Sequence, residues 1–176
     1  MAIRNEVIFF VHRMADVVRQ KYANNIPISN MREIVKQMGG QVVEDYSMTE
    51  FSDARIRKTG PYTFEIVVSP FQTEERRNFT IARELGRLFL HMGFKTDEMR
   101  WEQQSSIKYY HSEDLNQEIC CNEFADAFLM PRSEYKSVME KNTKGNRVNT
   151  SKVADYFHVT ITAAANRGNR LGYLEW

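Results

Sequence analysis

The sequence predicts an α+β domain, mainly helical, carrying a small sheet that contains an antiparallel pair. Three observations predict it. Apolar residues recur at helical spacing near the start, as Val7, Phe10, Val11, Met14, Val18 and Tyr22. The run from Tyr62 to Val68 alternates with period two, as a strand does. The stretch from Arg76 to His91 reads as a helix apolar almost all round, through Ile81, Ala82, Leu85, Leu88, Phe89 and Leu90, and so belongs at the centre of the fold.

Each element follows in turn. Asn5 to Tyr22 is an amphipathic helix, and Asn24 to Ile28 a loop. Asn30 with Glu33 forms a near capping box. It opens a short helix through Met38, which Gly39 and Gly40 end. Gln41 to Tyr46 is a strand, and Phe51 to Lys58 a second, with Ala54 and Ile56 on one side. Gly60-Pro61 marks a turn. Tyr62, Phe64, Ile66 and Val68 then face one way, with Thr63, Glu65 and Val67 between them, which predicts a half-buried strand. Thr80 is the expected N-cap of the central helix, and Gly93 its end.

Lys95 to Tyr110 is polar with scattered aromatics, Trp101, Tyr109 and Tyr110, and reads as a loop long enough to be a lid or a binding surface. Ser112 is the expected cap of a helix running to about Met130. A further helix spans Ser133 to Lys141, and Asn142 to Asn149 is a polar connection. Thr150 to Thr160 leads into a last helix with Ala163, Ala164, Arg167 and Leu171. With no repeat, low-complexity tract or linker, one domain over residues 1–176 is expected, its helices from about 150 to 172 closing it.

Composition narrows the function. The chain has 176 residues, 42% of them hydrophobic, enough to bury a core. A net charge of +1 gives no global bias toward nucleic acid or an anionic membrane. The apolar run Val7 to Val11 is too short for a signal peptide or a membrane span, so a cytoplasmic protein is expected. The only cysteines, Cys120 and Cys121, are adjacent and read as reduced thiols rather than a disulfide or a zinc site.

The polar stripe of the central helix carries the chemistry. Arg83, Arg87 and His91 stand four residues apart, on one helical face, with Glu84 beside Arg83. Two long cations on so apolar a helix require partners.

This stretch resembles the zinc helix of the ImmA/IrrE family of metallopeptidases, roughly R-x-R-F-T-x-A-H-E-x-G-H-x-x-x-H. Phe79, Thr80, Ala82, Glu84, Gly86 and His91 match it. The two histidines of its H-E-x-x-H are Arg83 and Arg87 here, and a guanidinium has no lone pair for a metal. Glu118-Ile119-Cys120-Cys121-Asn122-Glu123-Phe124-Ala125, then Leu129-Met130-Pro131, resembles the family's second motif, E-x-x-A-N-x-F-A followed by L-L-M-P. In active members the Glu at the position of Glu118 is the third zinc ligand. The resemblance implies a zincin-like fold with the sheet beside the motif helix. It also implies a bacterial or prophage origin and a helix-turn-helix repressor as partner. As the chain reads without an N-terminal repressor-type domain, that partner would act in trans.

Three readings of the site follow. In the first, Arg83 and Arg87 replace the metal and neutralise Glu118 and a vestigial Glu84, giving a pseudoenzyme with no zinc or other cofactor that acts by protein binding or regulation. In the second, an active metallo-endopeptidase has rebuilt its site from His91, His111 and Glu118. In the third, the arginine pair binds an anion or a phosphate. The first is favoured. His91 is expected to close the helix C-terminus with a partly charged imidazole, and His12 and His158 to be surface or capping residues. A rival class is a DNA-binding regulator. Ala154, Phe157 to Thr160, Ala163 and Ala164 resemble a helix-turn-helix. Lys141, Lys144, Arg147, Lys152, Arg167 and Arg170 face only Asp155 and Glu175 in that tail. Ile161, Ala163, Ala164 and Ala165 offer little to read bases with, so nucleic acid is not the expected partner.

Overall fold

The computed structural model describes residues 3–23 and 25–174. The N-terminal helix α1 (Asn5–Tyr22) and the short α2 (Met31–Met38) come first, the latter capped by Asn30, whose side chain accepts from the Glu33 amide. Gly39 then turns the chain at φ 100°, a left-handed conformation that glycine adopts without strain. Three strands follow, β1 (Gly40–Glu44), β2 (Arg55–Gly60) and β3 (Thr63–Val68). Their order is β1-β3-β2, with β1 parallel and β2 antiparallel to β3.

That order corrects the half-buried reading of β3. It is the central strand, and Glu65 and Val67 are buried along with Phe64, Ile66 and Val68. Glu65 is tolerated there because Gln41 donates to it at 2.9 Å and Arg57 at 3.0 Å.

The central helix α3 spans Glu74–Leu90. Its cap lies about two turns before the expected one. Thr73, not Thr80, accepts from the Arg76 amide, and Thr80 is buried inside the helix. Glu74 and Glu75 then sit in the first turn, where the helix dipole favours them. The segment after Gly93 is more ordered than a loop. It forms α4 (Glu98–Glu102), capped by Asp97. Trp101 is buried against Phe94, ring centroids 4.9 Å apart, and its indole N–H donates to the Pro61 carbonyl at 2.7 Å. Tyr109 and Tyr110 are half-buried, so this segment is no exposed aromatic surface.

The second motif helix, α5 (Leu115–Leu129), is capped by Asp114, while Ser112 braces that cap by accepting from the Asp114 amide. It is followed by α6 (Arg132–Lys141), a minimal hairpin of β4 (Thr143–Lys144) and β5 (Arg147–Val148), α7 (Thr150–Phe157) and α8 (Ile161–Arg170). The hairpin replaces the expected irregular connection. Val153, Ala154, Phe157 and Ala164 of α7 and α8 join the same core as α3 and α5. No helix among the described residues is long and apolar enough to cross a membrane.

The packing of α3 on α5 sets the site. A Cβ on Gly86 would lie 3.0 Å from the Phe124 Cβ and 3.2 Å from the Cys121 backbone. Even an alanine there would need α5 to give by a few tenths of an ångström, and a larger side chain by more. Gly86→Val should therefore cost about 1–3 kcal/mol by overpacking, read as a lower midpoint in urea unfolding.

Candidate functional site

The helical repeat places Arg83, Glu84 and Arg87 on the part of α3 that meets the first turn of α5, where Glu118 stands. The structure brings these four together. Arg87 Nη2 donates to Glu118 Oε2 at 2.7 Å, and Arg83 Nη1 lies 3.3 Å from Glu118 Oε1. Both oxygens of one carboxylate thus face a guanidinium. Arg87 Nε also donates to Glu84 Oε2 at 3.2 Å, while Arg83 Nε is 3.8 Å from Glu84 Oε1. Each arginine bridges two carboxylates, the geometry that a planar fork suits.

Glu84 is 1% exposed, and its Oε1 has no hydrogen-bond partner within the protein. Burial pushes its carboxyl up to about 7, against the pull of Arg87 and Arg83. Burial likewise pushes the neighbouring Cys121 thiol up to about 12, which leaves it inert at neutral pH. The Arg87 guanidinium lies 6.0 Å from the centre of the Tyr110 ring, which covers it.

Two contacts were not legible in the sequence. Asp53, from the loop before β2, accepts from Arg83 Nη2 at 2.8 Å across thirty positions of chain, and no local pattern signals such a pairing. Tyr110 reaches the site because its amide donates to the Ile56 carbonyl on β2 at 2.7 Å.

The other candidates lie apart. His91 is the C-cap of α3, but its imidazole is held down to about 4, by burial first and Arg87 second, and so is neutral. Burial, with the cation a turn away, outweighs the helix terminus. His111 is exposed, 3.8 Å from Glu113. His12 is no bland surface residue, since its Nε2 meets Glu123 Oε2 at 2.9 Å and ties α1 to α5. His158 caps α7 in a left-handed conformation.

The residues present do not fit zinc. Arg83 and Arg87 offer no lone pair, and among the described residues no group of three or more His, Cys, Asp or Glu is placed to hold a metal. A polar cleft of 330 Å3 opens beside the cluster, lined by Asp53, Arg76, Arg83, Asn122, Asn166 and Arg170 among others. A larger cavity, 740 Å3, opens between the β2–β3 turn and α4 and includes none of the four clustered residues.

The model of the IrrE N-terminal-like domain, Peptidase_M78, matches residues 40–169. The chain belongs to this family. The match spans β1 to α8 and includes both motif helices of the M78 fold. Among solved structures, a Mycobacterium tuberculosis transcriptional regulator is similar with a TM-score of 0.57 and 16% identity. The alignment covers 92% of this chain and 50% of the regulator, so the chain spans half of that protein's length. At this identity the likeness shows the shared fold. No curated protein matches the sequence.

The Glu84 environment gives a pH dependence. A carboxyl that titrates near 7 in the fold and near its ordinary 4.5 when unfolded keeps its proton longer in the native state. Native stability from this group is full below 4.5 and falls as pH rises toward 7. Asp126, raised by burial, acts in the same direction, and His91 in the opposite one. Comparison with Glu84→Gln cancels both. The variant should gain about 3 kcal/mol relative to the parent chain between pH 4.5 and pH 7, measured by urea unfolding at each pH.

Proposed function

We propose that this M78 domain does not cut peptides and acts as a regulatory binding protein, its partner a repressor-type protein. The observation that carries the reading is the engagement of both Glu118 oxygens by Arg83 and Arg87. In the family's active members this carboxylate is a zinc ligand, as the motif resemblance implies. Here two guanidinium groups supply the positive charge that two buried or half-buried carboxylates need. Glu84 keeps the position of the family's general base, but it lies between two cations and its free oxygen is enclosed. A regulatory role is in keeping with the regulator of like fold. The partner class comes from the family resemblance.

The test is metal content. Protein purified without chelator or histidine tag, incubated with zinc and dialysed, should hold well under a tenth of an equivalent by elemental mass spectrometry. Near one equivalent, lost on Glu118→Ala, would overturn the reading and return a rebuilt peptidase site.

A second reading has one observation in its favour. Lys141, Lys144, Arg147 and Lys152 line one surface around the β4–β5 hairpin, with no carboxylate in that lining. Such a patch suits phosphates. The helix-turn-helix itself is less suited. Arg167 is 2% exposed, and Arg170 pairs with Glu123 and Asp126 of α5, so neither is free to meet DNA. Band shifts with a random duplex should therefore be absent at 150 mM salt. Shifts that persist there, and weaken steeply as salt rises, would favour the DNA-binding regulator.

A further inference from the structure

The cleft beside the arginine cluster carries an inference that rests on the binding-protein reading and names what is bound. Its floor is Arg83, whose side chain is 17% exposed. The guanidinium has three carboxylate neighbours, and they are unequal. Glu84 is enclosed within α3, and Glu118 of α5 is also held by Arg87 at 2.7 Å. Asp53 comes from the loop between β1 and β2, its side chain is 82% exposed, and among the described residues it has no second ion-pair partner. An ion pair with so exposed a partner is weak and exchanges readily. Asp53 therefore holds a position that another carboxylate can take.

The surface beside the cleft shows what would accompany that carboxylate. Phe51, two residues before Asp53, is 73% exposed, and Phe71, in the loop leading to α3, is 57% exposed. Tyr46 is 73% exposed and meets Phe71 edge-on, ring centroids 6.3 Å apart. Arg76 lines the same cleft with its guanidinium 5.8 Å from the centre of the Phe51 ring, and it makes no ion pair among the described residues. Aromatic side chains and arginine around a desolvated cation are the composition of an interface centre. Thr160, Thr162, Asn122 and Asn166 add hydrogen-bonding groups to the walls.

We propose that this cleft recognises an acidic side chain of a protein partner, flanked by apolar residues, and that Asp53 is a built-in competitor that occupies Arg83 until the partner displaces it. The partner's carboxylate would pair with Arg83, and its apolar neighbours would pack on Phe51, Phe71 and Tyr46. Asp53 would then turn to solvent at little cost, since it is mostly there already.

The probe is an acetylated, amidated peptide, Leu-Phe-Glu-Phe-Leu, with its Gln counterpart and inorganic phosphate as controls. Binding is followed by NMR titration of the arginine Nε–H signals and the backbone amides of residues 47–54. The Glu peptide should bind at least tenfold more tightly than the Gln peptide and shift the Arg83 signal. Asp53→Asn should tighten it by up to about fivefold, the strength of an exposed ion pair. Arg83→Met in that background should abolish it. Asp53 lies on the surface, so its variant folds whatever becomes of Arg83→Met. Equal binding of the two peptides, or no tightening in Asp53→Asn, overturns the proposal. So does phosphate that displaces the peptide at equal concentration, since the site would then be a simple anion site. Zinc measured on the same sample separates the two levels. Metal-free protein that ignores the Glu peptide overturns this inference alone, whereas one equivalent of zinc overturns the reading beneath it.

Discussion

At Gly86 the backbone of α3 lies against α5 so closely that any side chain there would meet the Cys121 backbone and Phe124. This approach decides where everything else in the site can be. It puts Arg87 and Glu118, on different helices, 2.7 Å apart, and sets Arg83 one turn along against the same carboxylate. The flanking layers follow from it. Phe89 stacks on Phe124, and Phe124 on Phe128, so the seam continues as an aromatic column away from the charges. Apolar packing on one side and an ionic cluster on the other share one interhelical distance.

The cluster also obeys a charge constraint. Buried carboxylates need cations, hydrogen-bond donors or protons. A divalent ion held by neutral imidazoles would bring two positive charges to this position, and two arginines bring the same two. The electrostatic demand of Glu118 and Glu84 is thus met by either chemistry, whereas the demand for a lone-pair donor is met by only one. Glu84, with one oxygen left without a partner, takes up the remaining mismatch through its raised affinity for a proton.

Much of this was legible before the fold was known, and the misses have physical causes. The helices α1, α2 and α6 fall within a residue of their expected limits, because each has a clear cap or a clear apolar stripe. The expected start of α3 falls late because its first residues, Glu74 to Arg76, are polar and exposed, so periodicity begins only where burial does. The two-sided burial of β3 depends on strand order, which no single strand's pattern encodes. Trp101 looked like part of an exposed loop because the partners that bury it, Phe94 and the Pro61 carbonyl, come from separate segments. In the site, Arg83, Arg87, Glu84 and Glu118 were legible through motif spacing. Asp53 was not, since a loop carboxylate carries no periodic or motif signal.

Arg167 fastens α8 to the end of α5. Its side chain is enclosed, its Nε donates to the Met130 carbonyl at 3.1 Å, and the adjacent Tyr135 hydroxyl donates to the Ala164 carbonyl at 2.6 Å. Arg170 adds its pairs to Glu123 and Asp126. Peeling α8 away would carry both guanidiniums off and take a partner at once from Glu123 and Asp126 of α5, from the Met130 carbonyl and from the Tyr135 hydroxyl. Local opening of that segment is therefore coupled to loosening of the motif helix itself. The last helix is a clasp on α5, the same helix that carries Glu118 at its start.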